Sequence, residues 1–251
     1  MDKIIITTGD PNGIGAEITM KALKALNLPK EKIAIISNKK ILNYYGKLDK
    51  NYEIIEIPYN ENDIKVGQVT KEAGEFSFQS LKLACELKPK AIVTAPVAKN
   101  ALHLAGHNFN GQTEVLQHFL AHDNQLAEML FVANGFRVLL LTRHCALKEI
   151  TLTQDVVVTK IKNLVKTFQK QFSINNPKFA LCGFNPHSGE DGILGREEID
   201  ILIPAVQELQ NAGIDITMPL PADTLFVDAA KNYLKNTKDK YDCYIANYHD
   251  Q

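Results

Sequence analysis

The chain of 251 residues has no tryptophan and only four cysteines. Cys85, Cys145, Cys182 and Cys243 are scattered without a C-x-x-C pair, in segments that otherwise look buried. That excludes a disulfide framework and reads as reduced core thiols of a cytoplasmic protein. An excess of either charge is missing too: 28 Lys+Arg face 29 Asp+Glu, a formal net charge of −1. Without a basic stripe to neutralise phosphates, nucleic acid is excluded as the main partner. No apolar run approaches the roughly 20 residues of a membrane helix, and Met1-Asp2-Lys3-Ile4-Ile5-Ile6 enters a strand at once, without a signal peptide. Internal repeats and low-complexity tracts are absent. What is present is an ordinary globular composition, 45% apolar and 23% charged, long enough for one large domain or two smaller ones.

Short apolar runs alternate with helical stretches. Strands are expected at Lys3–Thr7, Lys32–Ser37, Tyr52–Ile57, Lys90–Thr94, Met129–Ala133, Phe136–Thr142, Lys178–Gly183 and Tyr241–Asn247. They are rich in Ile, Val, Leu and Phe with little alternation, the pattern of strands covered on both faces. Helices are expected at Ile14–Leu26, Lys71–Leu87, Thr113–Ala121, Gln154–Gln171 and Glu197–Ala212. In the fourth, Val157, Ile161, Leu164, Val165 and Phe168 share one face; in the fifth, Pro204 kinks or splits the helix and Gly213 ends it. Such alternation predicts a largely parallel α/β sheet. The polar ending Asn247-Tyr248-His249-Asp250-Gln251, directly after a strand, gives the expectation of a chain cut short.

Ligands of open α/β sheets bind at the carboxyl ends of strands. Five such ends carry polar groups: Thr8-Gly9-Asp10-Pro11-Asn12-Gly13-Ile14-Gly15, Ala95-Pro96-Val97-Ala98-Lys99, Arg143-His144-Cys145, Asn185-Pro186-His187-Ser188-Gly189-Glu190 and Tyr248-His249-Asp250. The glycine loop fits neither G-x-G-x-x-G nor the P-loop pattern; it reads as an anion-binding turn or as a tight turn capped by Asp10. His144 and His187 read as a pair of imidazole metal ligands or as hydrogen-bonded histidines. The pairs His103/His107 and His118/His122 read as solvated, and Lys99 as a phosphate ligand or a solvent-facing lysine.

Taken together, Thr8–Glu17, Ala95–Lys99, Gly111-Gln112-Thr113-Glu114, Asn185–Glu190, Pro219-Leu220-Pro221-Ala222-Asp223-Thr224 and Tyr248–Gln251 occur in the order seen in the 4-hydroxythreonine-4-phosphate dehydrogenase (PdxA) family. The chain resembles that family over essentially its whole length. The resemblance implies two α/β/α domains with mostly parallel sheets, similar to isocitrate and isopropylmalate dehydrogenases, with an active-site cleft between domains. It implies a first domain at residues 1–105, completed in the family by C-terminal chain, and a second at 106–251 carrying the metal-binding histidines. It also implies NAD(P)-dependent oxidation of 4-phosphooxy-L-threonine at C3, then decarboxylation to 3-amino-2-oxopropyl phosphate, in pyridoxal 5′-phosphate biosynthesis. A divalent metal (Zn, Mg or Co) and a cytoplasmic homodimer with its site at the subunit interface are expected as well.

By the same resemblance His144 and His187 match two of three metal-binding histidines, and Thr113 a substrate-binding threonine. Gln112 stands where the family has a substrate-contacting histidine; its amide hydrogen-bonds but carries no proton or charge at neutral pH. Asp10, Asn12 and Lys99 are expected in the cleft near phosphate or cofactor. Asp223 reads as a carboxylate behind a metal-bound imidazole or as a helix cap. The third metal histidine is expected beyond Gln251, His249 belonging to a different motif, so residues 1–251 alone are expected to lack a complete site and to show no turnover. Alternative functions are a paralogous dehydrogenase of threonate or erythronate 4-phosphate, a phosphometabolite-binding module without catalysis and, by analogy of fold, an acyl transferase.

Overall fold

The computed structural model describes residues 2–121, 127–143, 145–235, 237 and 239–251. Its chain divides into two compact units, Met1–Ala127 and Glu128–Gln251. The first unit runs β1 (Ile4–Thr7), α1 (Gly15–Leu26), β2 (Ile33–Ser37), α2 (Lys39–Tyr45), β3 (Glu53–Glu56), α3 (Lys71–Glu86), β4 (Ala91–Thr94), α4 (Lys99–Leu104) and α5 (Gln112–Leu120). The strands form one parallel sheet in the order β3-β2-β1-β4, with Ile4 opposite both Ile33 and Ala91. Successive side chains point to opposite faces. Ile33 and Ile35 therefore pack with Leu23 of α1 and Tyr52, while Ala34 and Ile36 join Ile5, Phe76 and Ala84 on the α3 side. Both faces of the central strands β1 and β2 are covered, as their apolar runs require, while Val93 on the edge strand β4 is exposed. The boundary between units falls later than the 105/106 division read from sequence, because α5 packs on α3 of the first unit.

The second unit runs β5 (Met129–Ala133), β6 (Phe136–Leu140), α6 (Gln154–Gln171), β7 (Lys178–Leu181), α7 (Ile203–Asn211), β8 (Asp215–Ile216), α8 (Ala222–Leu234) and β9 (Cys243–Ala246). Its sheet has the order β5-β6-β9-β7-β8, parallel except for the β5–β6 hairpin. Asn134 and Gly135, both at positive φ, make the two-residue turn that suits a twisted hairpin. Phe179, Leu181, Cys243 and Ile245 pack against α6 and α7, and Ala180, Cys182 and Tyr244 against Leu225 and Ala229 of α8. The two-face covering stops at the outer strand: Phe131 and Val132 of β5 are exposed.

Pro204 has the effect expected of it. Pro204 has no N–H to close the helix onto residue 200, and the chain widens into a π-turn at Glu198–Leu202, Ile203 N–H donating to Glu198 O, before α7 begins. Three cysteines are core thiols as read, but Cys145 is exposed, because the loop after β6 carries it out of the sheet. Among the described residues no helix is long and apolar enough to cross a membrane.

Candidate functional site

In the first unit the parallel strands release their loops at one edge. After β1 the backbone turns back against the loop after β4: Asp10 N–H donates to Pro96 O at 3.0 Å. The approach is so close that a Cβ at Gly9, whose φ is +69°, would stand 2.2 Å from that oxygen. The glycine is thus demanded by contact between two strand-end loops. Asp10 does not cap α1, whose N-cap is Ile14 without a side-chain hydrogen bond. Its Oδ1 instead accepts from Asn12 N–H at 2.8 Å. Burial raises the pKa of Asp10, and that backbone hydrogen bond partly offsets the rise.

Asn12 is 2% exposed. Its Oδ1 accepts from Lys65 N–H at 2.7 Å, and its Nδ2 donates to Gln68 O at 3.0 Å and to Thr70 Oγ1 at 3.1 Å. The side chain is committed to clipping the 65–70 loop onto the glycine loop. Lys99 stands exposed in the first turn of α4. Gln112 and Thr113 open α5, and the buried Oε1 of Gln112 has no hydrogen-bond partner among the described residues. A buried amide oxygen in that state favours any ligand bringing a donor. The preceding loop is anchored by His107, whose Nε2 lies 2.7 Å from Glu75 Oε2 and whose ring stacks on Phe78 at 3.6 Å. His107 is therefore not the solvated histidine expected from spacing: packing on α3 half-buries it.

In the second unit, Thr142, Asn247 and Cys182 leave the adjacent strands β6, β9 and β7 side by side. Thr142 Oγ1 donates to Asn247 O at 2.7 Å, and Asn247 Nδ2 donates to Cys182 O at 2.9 Å. Gln251 tightens the same edge, accepting from Asn247 N–H and donating to Gly183 O. Three histidine-bearing loops therefore start from neighbouring strands. His144, on the first, lies outside the described residues.

His187 sits in a run of left-handed backbone, with φ of +51° at His187, +54° at Ser188, +85° at Gly189, +44° at Glu190 and +55° at Asp191. Its Nδ1 is 2.9 Å from Glu190 Oε1. That hydrogen bond, then the charges of Glu190 and of Asp223, raises the pKa of His187. Asp223 thus acts on the imidazole through space, in the exposed first turn of α8; Pro221 is that helix's N-cap and no side chain caps it. The carboxylate that holds the ring is Glu190, passed over in the sequence although it stands within the same motif. His249 Nδ1 lies 3.1 Å from Asp250 Oδ1, a second imidazole with a carboxylate at Nδ1. Among the described residues no three His, Cys, Asp or Glu side chains form a group that could hold a metal ion.

The chain is similar to known proteins along its whole length. The profile of the family described as Pyridoxal phosphate biosynthetic protein PdxA matches residues 3–251. A 4-hydroxythreonine-4-phosphate dehydrogenase of Sulfurihydrogenibium is 33% identical over 276 residues, covering 100% of this chain and 81% of that protein. A D-threonate 4-phosphate dehydrogenase of Salmonella typhimurium is 35% identical over 276 residues, covering 99% of this chain and 81% of its own. A crystal structure of 4-hydroxythreonine-4-phosphate dehydrogenase from Klebsiella pneumoniae superposes with a TM-score of 0.83 at 30% identity, covering 100% of this chain and 82% of that one.

Proposed function

The chain belongs to the PdxA family of pyridoxal phosphate biosynthetic proteins, and from that membership we propose that it is a dehydrogenase of 4-phosphooxy-L-threonine. Oxidation at C3 sends a hydride to NAD(P)+ and a proton to solvent. The β-keto acid then loses CO2, giving 3-amino-2-oxopropyl phosphate. The single observation carrying this reading is a family match spanning the chain from residue 3 to residue 251, beside the structural likeness to a dehydrogenase of that name.

The imidazole donors at the second unit's strand ends suit a divalent transition cation such as Zn or Co better than Mg, which takes oxygen ligands. Both described imidazoles have a carboxylate at Nδ1, the arrangement that orients histidine ligands. We assign His187, His144 and, by strand order, His249. In strand order the loop of β9 lies between those of β6 and β7, which supports His249 as the third imidazole in place of the one expected beyond Gln251. When bound, such a cation supplies Lewis acidity toward an alcohol and its ketone, as NAD(P) supplies the hydride acceptor.

The chain's own residues bind and orient. Thr113 and Gln112 are assigned to the substrate, the Gln112 amide standing as a neutral hydrogen-bonding group. Lys99 offers charge to a phosphate. Asp10 and Asn12 shape the glycine loop, and Asp223 adds negative charge near His187. A homodimer with the site at its interface, in the cytoplasm, completes the proposal.

The test uses the protein expressed from its own full reading frame, with metal and NAD+ or NADP+. Reduced nucleotide is expected to form with 4-phosphooxy-L-threonine. A preference for D-threonate 4-phosphate would favour the second reading, which the 35% identical Salmonella relative keeps in view. Ligand binding without nucleotide reduction by either substrate would overturn both.

A further inference from the structure

We propose that Glu198 is a positioning residue for His187, acting through Asn185 and the left-handed turn that follows it; this rests on the reading of His187 as a metal ligand. Glu198 opens the π-turn and is 3% exposed. Its carboxylate is held by Asn185. Oε1 accepts from Asn185 N–H at 2.7 Å and Oε2 from Asn185 Nδ2 at 2.9 Å. Asn185 Nδ2 also reaches Glu197 Oε2 at 2.6 Å.

The same carboxylate meets the chain again beyond His187. A Cβ on Gly189 would lie 2.7 Å from Glu198 Oε2. Glu198 therefore braces the backbone two residues before His187 and two residues after it. The segment between needs a brace. Left-handed backbone costs roughly 1–2 kcal/mol for each residue that is not glycine, and only Gly189 is glycine in this run of five. A buried carboxylate satisfied by neutral donors is itself costly, so a hydrophobic residue would serve packing alone better. What the carboxylate adds is direction: two hydrogen bonds to one residue fix where the turn begins and which way His187 faces.

The test is titration of the full chain with Co2+ alone, followed by calorimetry and by the visible absorption of the bound ion. Glu198→Gln leaves the side chain's shape but turns one acceptor into a donor facing a donor. Its Co2+ affinity is expected to fall about 10- to 100-fold, the range for residues that orient a ligand. His187→Ala is expected to weaken Co2+ at least as much, and the double variant to be no weaker than His187→Ala alone, as residues acting in series require. Glu128→Gln, which breaks the Lys160–Glu128 pair elsewhere in the unit, is expected to change melting temperature without changing Co2+ affinity. Affinity of Glu198→Gln within about twofold of the parent, beside a weakened His187→Ala, overturns this proposal alone. Full additivity in the double variant does the same. Unchanged affinity in His187→Ala overturns the metal reading and this proposal with it. Should Glu198→Gln fail to fold, Asn185→Ala keeps the backbone hydrogen bond while removing the amide, and a loss of Co2+ affinity in the same direction is required of it.

Discussion

Asp10 shows how one residue can sit in a functional motif and still be governed by burial. The residue is 7% exposed and its folded pKa lies above the ordinary value of 3.8, because desolvation outweighs the single backbone donor. Below about 3.8 the group is neutral whether the chain is folded or not, and its contribution to stability is fully present. As pH rises through the raised folded pKa that contribution is lost, since charging is easier in the unfolded chain. Asp10→Asn stays neutral throughout and keeps an oxygen for Asn12 N–H. It is therefore expected to melt above the parent near about pH 7, with the gap closing toward about pH 4. Calorimetry of both proteins across that range checks it; a variant that melts lower at neutral pH would show that the charge is stabilised. Sequence reading singled out the Asp10–Asn12 loop for its composition, and reached the histidines for the same reason. It could not see that Asn12 is occupied with the 65–70 loop, because that contact joins positions more than fifty apart. It also missed Glu190 as the partner of His187, which only a left-handed turn brings within hydrogen-bond reach.

Among the elements, legibility follows length and periodicity. The helix expected at Gln154–Gln171 is found at those residues, because its apolar stripe repeats over several turns and Thr153 marks its start. The short helices α2 and α4 offer too few turns for a stripe to register, and β8 is only two residues long. Helix α8 had a readable signal, Leu225 and Ala229 one turn apart, but Pro219–Thr224 drew the segment toward a loop motif. At the start of α6, Thr153 Oγ1 accepts from Val156 N–H at 3.3 Å. Thr153→Ala is expected to cost about 0.5–2 kcal/mol in urea unfolding, and Thr153→Ser to recover most of that. Equal losses for alanine and serine would mean that the threonine methyl, and not the cap, is what α6 needs.

For the molecule as a whole, the physical question is whether two units, each with its own sheet and core, unfold as one. The first unit closes around Ile5, Ile36 and Phe76, the second around Phe168, Phe179 and Ile245. Phe168 is 0% exposed, sits edge-on to Phe179 at 5.5 Å and carries the Arg137 guanidinium over its ring at 5.6 Å. Phe168→Ala removes both contacts and leaves a cavity, a loss of about 3–5 kcal/mol. For a unit of this size that lowers its melting temperature by more than about 10 °C. If each core is a separate cooperative unit, calorimetry resolves two transitions. The variant then moves one of them and leaves the other within about 1 °C of the parent. Thiol accessibility assigns which transition moved. Burial pushes the Cys182 and Cys243 thiols up to about 12 and Cys85 up to about 11, so each is protected until its own unit opens. Cys182 and Cys243 are expected to react with a thiol reagent at the lowered transition, and Cys85 of the first unit only at the unmoved one. A single transition that shifts bodily, with all three thiols released together, would show that the units fold as one cooperative body.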